Sequence, residues 1–187
     1  MRAFINQTWG KSPQWITEEA ATALTRGAFE YQGQKCSAAS RAYIPRSMWP
    51  ALKEFIVNDV KSIKIGDVEY FSNFFNAVID EKAFDSIAKY IDDAKASDVV
   101  EVIAGGGHDK TKGYFIEPTI LLSKDPQYVT MCEEIFGPVI TIYVYEDENF
   151  DETLKLVDGT SPYALTGAIF ANDRYIAEKA TQALSNA

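Results

Sequence analysis

The stretch Arg26–Pro45, RGAFEYQGQKCSAASRAYIP, joins a helical pattern to a strand-like segment around a single cysteine. Gly33 can end the helix because glycine tolerates a positive φ. Cys36 follows at this break, and the strand-like segment covers Arg41–Ile44. A thiol held against backbone N–H groups beside Lys35 favours the thiolate, which is the form that attacks carbonyl carbons. Residue type alone also allows the other interpretation, a small buried hydrophobic side chain.

The composition describes an ordinary globular chain with an acidic balance. Its 187 residues are 47% hydrophobic and 24% charged, which is enough for the core of one domain. The net charge of −9 argues against a nucleic-acid partner, because phosphate binding needs a basic patch. No apolar run reaches the ~18 residues of a membrane span, so no membrane partner is expected. The two cysteines indicate a reducing compartment, and a cytoplasmic location is expected.

Helical and strand patterns alternate along the chain and predict an α/β domain, with a mostly parallel sheet flanked by helices. Helices are expected at 17–32, 47–63, 80–96, 150–157 and 173–184, and strands at 41–44, 99–104, 114–122, 139–145 and 165–170. The glycine run at 105–107 suits a phosphate site only before a helix, and here another strand follows. We therefore expect a turn there, with His108 exposed to solvent. With this single histidine, no metal site is expected.

Residues 1–17, MRAFINQTWGKSPQWIT, show no clear periodicity. We expect an N-terminal arm of unclear order there. A stretch introduced by cloning or by a frameshift is an equally good interpretation. The regular patterns begin with the helix after Thr17, so the domain is expected to cover residues 18–187.

Four stretches resemble the aldehyde dehydrogenase superfamily and occur in its order. They are FEYQGQKCSAASR (29–41), KGYFIEPTI (112–120), EEIFGPV (133–139) and SPYALTGAIF (161–170). The first is most similar to the branch of 1-pyrroline-5-carboxylate (glutamate-γ-semialdehyde) dehydrogenases, whose pattern AFEYxGQKCSAxSRxYxP it matches at every fixed letter. Four ordered matches are far more specific than a single motif, so the chain is identified as a member of this superfamily.

The resemblance implies NAD-dependent oxidation of L-glutamate γ-semialdehyde to glutamate in proline catabolism, through a thioester on Cys36. Ser37 would contact the α-carboxylate of this small aldehyde substrate. Lys35 would either orient that carboxylate or favour the Cys36 thiolate, and the sequence leaves both roles open. Glu134 would accept hydrogen bonds from the nicotinamide ribose, and Phe136 would lie behind the nicotinamide ring. Glu133, by contrast, is expected to be an exposed charge at a helix end, and Cys132 is expected to be inert.

The resemblance covers about residues 20–187 and lacks the nucleotide-binding domain of the superfamily. It therefore implies a catalytic domain truncated at both ends, which alone would not turn over NAD efficiently. Its exposed cofactor face would lead to self-association, or to docking with a missing nucleotide-binding half. Two alternatives stay open: a non-catalytic binding or assembly domain, and a thiol enzyme that hydrolyses activated esters without NAD.

Overall fold

A computed structural model describes residues 2–6, 14–162 and 165–185 of the chain. The strands are β1 (Arg2–Asn6), β2 (Arg41–Pro45), β3 (Val100–Ala104), β4 (His108–Asp109), β5 (Phe115–Ile116), β6 (Thr119–Ser123), β7 (Val139–Tyr145) and β8 (Gly167–Ala171). The helices are α1 (Gln14–Phe29), α2 (Trp49–Ser62), α3 (Glu81–Lys95), α4 (Val129–Cys132), α5 (Phe150–Gly159) and α6 (Arg174–Ala183). Short 3-10 helices cover Glu30–Gly33 and Asp147–Asn149.

Within these residues the main sheet has six strands in the order β3-β6-β7-β2-β1-β8. Every neighbouring pair is parallel except β3 with β6, and β4 pairs with β5 in a separate antiparallel ribbon. Parallel neighbours need long crossover connections, which the helices supply. The predicted α/β class with a mostly parallel sheet is confirmed. The helices within the described residues are too short or too polar to span a bilayer.

Alternating side chains of the central strands divide the core between the two faces of the sheet. Ala42 and Ile44 of β2 pack in one cluster with α1 and α2. Tyr43 points to the other face, where it packs in a cluster with α5 and α6, and its hydroxyl donates to Thr160 Oγ1 at 3.0 Å. Helix α3, which was predicted over 80–96, covers the remaining part of that face with a buried stripe that includes Ile87.

The N-terminal stretch differs from the predicted irregular arm. Residues 2–6 form β1, which lies between β2 and β8 and is hydrogen-bonded to both. Helix α1 begins at Gln14, three residues before the expected cap at Thr17. A five-residue strand is too short for an alternation of apolar and polar residues to be recognised in the sequence. The hydrogen bonds of β1 are completed by its two neighbouring strands. The prediction for residues 7–13 lies outside the described residues.

Two further boundaries were predicted wrongly. Ser47 does not cap α2, whose N-cap is Met48 without a side-chain bond. The Ser47 hydroxyl and N–H both donate to the Asp147 carboxylate instead. The strand expected over 114–122 is divided into β5 and β6 at Pro118, which has no N–H to donate to a ladder.

His108 is not the exposed turn residue that the sequence predicted. It begins β4, its side chain is 25% exposed, and its Nε2 lies 3.1 Å from Asp92 Oδ1 on α3. Its ring meets the ring of Phe84 edge-on, with centroids 5.8 Å apart. Hydrogen bonds from His108, and then from Lys95, lower the pKa of Asp92. No group of three or more His, Cys, Asp or Glu side chains in the described residues is arranged to hold a metal ion.

Candidate active site

Helix α1 ends in a sharp break that sets the direction of the cysteine segment. Tyr31, Gln32 and Gly33 follow one another with φ values of 54°, 59° and 64°. Three successive left-handed residues reverse the chain, and such strain in residues with side chains is typical of functional sites. Helix α1 ends at Phe29, earlier than the predicted stop at Gly33, although Gly33 does adopt the positive φ that was expected of it.

Gly33 also brings two distant motifs into backbone contact. A Cβ atom at this position would lie 2.2 Å from the carbonyl oxygen of Gly137 and 2.7 Å from that of Ala28. Gly137 belongs to the EEIFGPV stretch, which precedes β7, whereas Gly33 precedes β2. Glycine therefore allows the two segments to approach at the amino ends of adjacent parallel strands.

Cys36 lies in a turn directly after this contact. The turn is closed by the Ala38 N–H, which donates to the Lys35 carbonyl at 3.0 Å. Cys36 is exposed, so the alternative of a buried hydrophobic cysteine does not apply. Among the described residues, the Cys36 N–H donates to no acceptor. The exposed thiol is therefore accessible to a ligand, and the N–H is not used by the described part of the chain.

A cleft of about 360 Å³ opens at the amino ends of β2, β7 and β8. It is lined by residues from 33–41, 133–139, 161–162 and 165–166. The cleft brings together four of the predicted site residues, namely Cys36, Lys35, Glu134 and Phe136. Ser37 is half-buried and does not line it, so its contact with a substrate carboxylate remains a prediction. Three of the four stretches that resemble the superfamily thus meet at one edge of the sheet.

Glu134 and Phe136 have the chemistry that a nicotinamide nucleotide needs. The Glu134 carboxylate is exposed at the cleft, and a carboxylate can accept hydrogen bonds from neighbouring ribose hydroxyls. Phe136 is 43% exposed and has a φ of 55°, an uncommon conformation for a bulky residue. This backbone keeps an aromatic ring at the surface instead of in the core. The two side chains therefore fit a bound cofactor of this class.

Two residues of this region were not singled out from the sequence. Arg41 lines the cleft although it is only 4% exposed, and its Nη1 donates to the Met131 carbonyl at 2.5 Å. The sequence did offer one signal for Arg41, because it is a charged residue at the start of an otherwise apolar strand. The second is Glu30, whose Oε2 lies 3.0 Å from Lys35 Nζ. The hydrogen bonds from Lys35, and then from Arg26, lower the pKa of Glu30.

Glu133 is an exposed charge at the end of α4, as predicted, and it accepts a hydrogen bond from the Tyr90 hydroxyl. That bond raises the pKa of Tyr90. Cys132 is half-buried, and its thiol donates to the Gln127 carbonyl at 3.4 Å. The positive charge of Arg41 acts on Cys132 and by itself would lower the pKa of this thiol. Burial nevertheless dominates and raises the pKa of Cys132.

We expect alkylation to distinguish the two thiols. Near pH 7.5, iodoacetamide should label Cys36 at least about tenfold faster than Cys132, because burial and a raised pKa both reduce the Cys132 thiolate. The Cys132 rate should continue to rise above pH 9. Mass spectrometry of peptides from timed samples measures both rates, and equal rates at neutral pH would contradict the prediction.

The comparison with known proteins agrees with this geometry. The profile of the aldehyde dehydrogenase family matches residues 10–187. The chain is 54% identical to a mitochondrial delta-1-pyrroline-5-carboxylate dehydrogenase of Dictyostelium discoideum, over 98% of the chain and 34% of that protein. It is 49% identical to the human protein of the same name, over 91% of the chain and 30% of that protein.

Solved structures show the same fold. The delta-pyrroline-5-carboxylate dehydrogenase of Mycobacterium tuberculosis, crystallised with NAD, superposes with a TM-score of 0.86 at 38% identity, over 98% of this chain and 32% of that one. A 1-pyrroline-5-carboxylate dehydrogenase from Thermus with bound NAD gives 0.85 at 26% identity, over 98% and 33%. The chain thus spans about a third of the length of these relatives. With a family profile that matches nearly its whole length, the chain belongs to the aldehyde dehydrogenase family.

Proposed function

We propose that this chain carries the nucleophile-bearing part of an enzyme that oxidises L-glutamate γ-semialdehyde to glutamate with NAD, in proline catabolism. The observation that supports it most strongly is the cleft in which Cys36, Lys35, Glu134 and Phe136 meet. These residues come from separate stretches of the chain, and each has a role in one reaction. The relatives named delta-1-pyrroline-5-carboxylate dehydrogenase add support for this substrate.

The proposed reaction starts at the exposed thiol. The Cys36 thiolate attacks the aldehyde carbon and forms a C–S bond, and the carbonyl electrons move to oxygen. The Cys36 N–H, which has no acceptor among the described residues, would donate to this oxyanion. One such donor is worth roughly 3 kcal/mol in transition-state stabilisation. Loss of hydride from the same carbon leaves a thioester on Cys36, and water then releases the acid and restores the thiol.

NAD, when bound, would accept that hydride. Glu134 would hold its ribose hydroxyls, and the Phe136 ring would support the nicotinamide from behind. Both side chains are exposed at the cleft, which leaves them accessible to a ligand. The charge of Lys35 suits the carboxylate of the substrate, and Ser37 in the same turn is proposed as a second contact to it.

We further propose that the cleft is completed by a nucleotide-binding half, by a second copy, or by both. Two large apolar side chains that line it are exposed, Phe136 (43%) and Leu165 (67%), and the exposed Tyr31 (71%) lies two residues before the lining residue Gly33. Apolar surface of this kind commonly belongs to an interface. The mitochondrial names of several relatives make the mitochondrial matrix a second proposed compartment beside the cytoplasm.

Calorimetry with NAD tests the function directly. We expect NAD to bind the purified chain, and Glu134→Gln to weaken the binding about tenfold because it removes a charged acceptor. Glu133→Gln is the matched control and should leave Kd unchanged. The Glu133 carboxylate is next to Glu134 in sequence, but it already accepts a bond from the Tyr90 hydroxyl. Equal effects of the two variants would overturn the proposed role of Glu134, and absence of binding at millimolar NAD would mean that the cleft does not bind the cofactor without a nucleotide-binding half.

A further inference from the structure

The side chain of Lys35 is held on two sides at the edge of the cleft. Its Nζ lies 3.0 Å from Glu30 Oε2 and 5.9 Å from the centre of the Tyr31 ring. The other Glu30 oxygen, Oε1, accepts a bond of 2.7 Å from Arg26 Nη2. Glu30 therefore bridges two cations, and only Lys35 among the three charged residues lines the cleft. The arrangement depends on the break after α1, where Tyr31 adopts its positive φ.

The ion pair between Lys35 and Glu30 contributes little to the stability of the fold. The side chains of Lys35 and Glu30 are 29% and 34% exposed, and ion pairs this open to solvent are screened by water and salt. What the contact does change is the freedom of a long, flexible side chain. An unrestrained lysine would have to lose its rotamer freedom each time that it bound a ligand. A lysine already held beside the cleft has much less to lose.

We propose that Glu30 is a positioning residue, which holds the Lys35 ammonium at the cleft for the carboxylate of an anionic aldehyde. The inference rests on the proposed function, because it presumes that Lys35 receives the substrate carboxylate. The proposal makes Glu30 a second residue, beside Lys35, that influences which substrate is selected, although Glu30 does not itself line the cleft. Aldehydes that lack a carboxylate would gain nothing from this pair.

Alkylation of Cys36 by a charged and by a neutral reagent measures this selection. Iodoacetate is an anion and iodoacetamide is neutral, and both place the same carbon on the same sulfur. We use the ratio of the iodoacetate rate to the iodoacetamide rate. Changes in thiol reactivity or general stability affect both reagents alike and cancel in this ratio. Lys35→Gln should lower this ratio about fivefold, because it removes the cation that attracts the anion.

Two substitutions of Glu30 separate position from charge. Glu30→Gln and Glu30→Ala remove the same negative charge, but only glutamine keeps an oxygen that accepts a bond from Lys35. We expect the ratio of Glu30→Ala to fall at least about threefold below that of Glu30→Gln. Arg26→Gln is the control, since Arg26 is 65% exposed and binds the other oxygen. It should change the ratio less than about twofold.

The outcomes distinguish the two proposals. If Lys35→Gln leaves the ratio unchanged, the proposed role of Lys35 is wrong, and the positioning role of Glu30 is lost with it. If Lys35→Gln lowers the ratio while the two Glu30 variants behave alike, Lys35 keeps its role and Glu30 acts through its charge alone, which overturns the inference. Both proposals are supported if the ratio of Lys35→Gln falls below that of the wild type and the ratio of Glu30→Ala falls below that of Glu30→Gln.

Discussion

Gly33→Ala is expected to lower the free energy of unfolding by about 3 kcal/mol or more. The new Cβ would lie 2.2 Å from the Gly137 oxygen and 2.7 Å from the Ala28 oxygen, and both atoms belong to the backbone. Such a clash cannot be relieved by rotating a side chain, so β7, β2 or the end of α1 must shift. The φ of 64° adds the penalty of a left-handed alanine.

Urea unfolding followed by circular dichroism measures this effect as a fall in the midpoint. Gly159→Ala is the matched control, because Gly159 ends α5 and a Cβ there would meet nothing within 4 Å. That variant should be neutral or more stable by up to about 1 kcal/mol, since alanine favours a helix. If both variants unfold at the wild-type urea concentration, the two motifs do not make a tight backbone contact at Gly33.

Cys36→Ala is expected to abolish acyl transfer to the protein. An activated ester such as p-nitrophenyl acetate should react with the wild-type chain in a burst of about one equivalent of nitrophenolate. In this reaction the Cys36 sulfur bonds to the acetyl carbon, and nitrophenolate leaves with the electron pair. Stopped-flow absorbance measures the burst, which should disappear entirely in the variant. The reaction needs no NAD, so it tests the nucleophile apart from the cofactor.

Cys132→Ala serves as the control and should keep the full burst, because the Cys132 thiol is half-buried and its pKa is raised. A burst that survives in Cys36→Ala would contradict the assignment of the nucleophile. A wild-type chain without any burst would favour a non-catalytic binding domain. Steady release of nitrophenolate after the burst, with no effect of NAD, would favour the esterase-like alternative.

The cysteine segment and the EEIFGPV stretch can be identified from the sequence alone, because short runs of neighbouring residues carry their resemblance to the family. Gly33 and Phe136 each have a positive φ, which belongs to the local backbone, whereas the close approach of Gly33 to Gly137 does not. Two of the helices predicted from local patterns were expected to start at residues 80 and 173, and the aspartate side chains at these positions accept a bond from the first turn. Local rules of this kind do not depend on what the rest of the chain does.

Other features depend on partners that are far away in sequence. Ser47 has the residue type of a helix cap, but a carboxylate a hundred positions later takes its hydrogen bonds. His108 follows a glycine turn, yet it packs on α3 because the β4–β5 ribbon lies there. The first strand has no pattern of its own and is completed by β2 and β8.

By itself, the sequence determined the α/β class and the family and predicted the position of the nucleophile, because these follow from periodicity and from motifs within single segments. Only the tertiary structure decided which segments meet. Parallel strands place the amino ends of β2, β7 and β8 at one edge, and this brings Cys36 and Glu134 into one cleft. The tertiary structure also places Glu30 against Lys35, which is five residues away across a strained turn. In a continuous helix, the spacing of these two residues would have pointed their side chains apart.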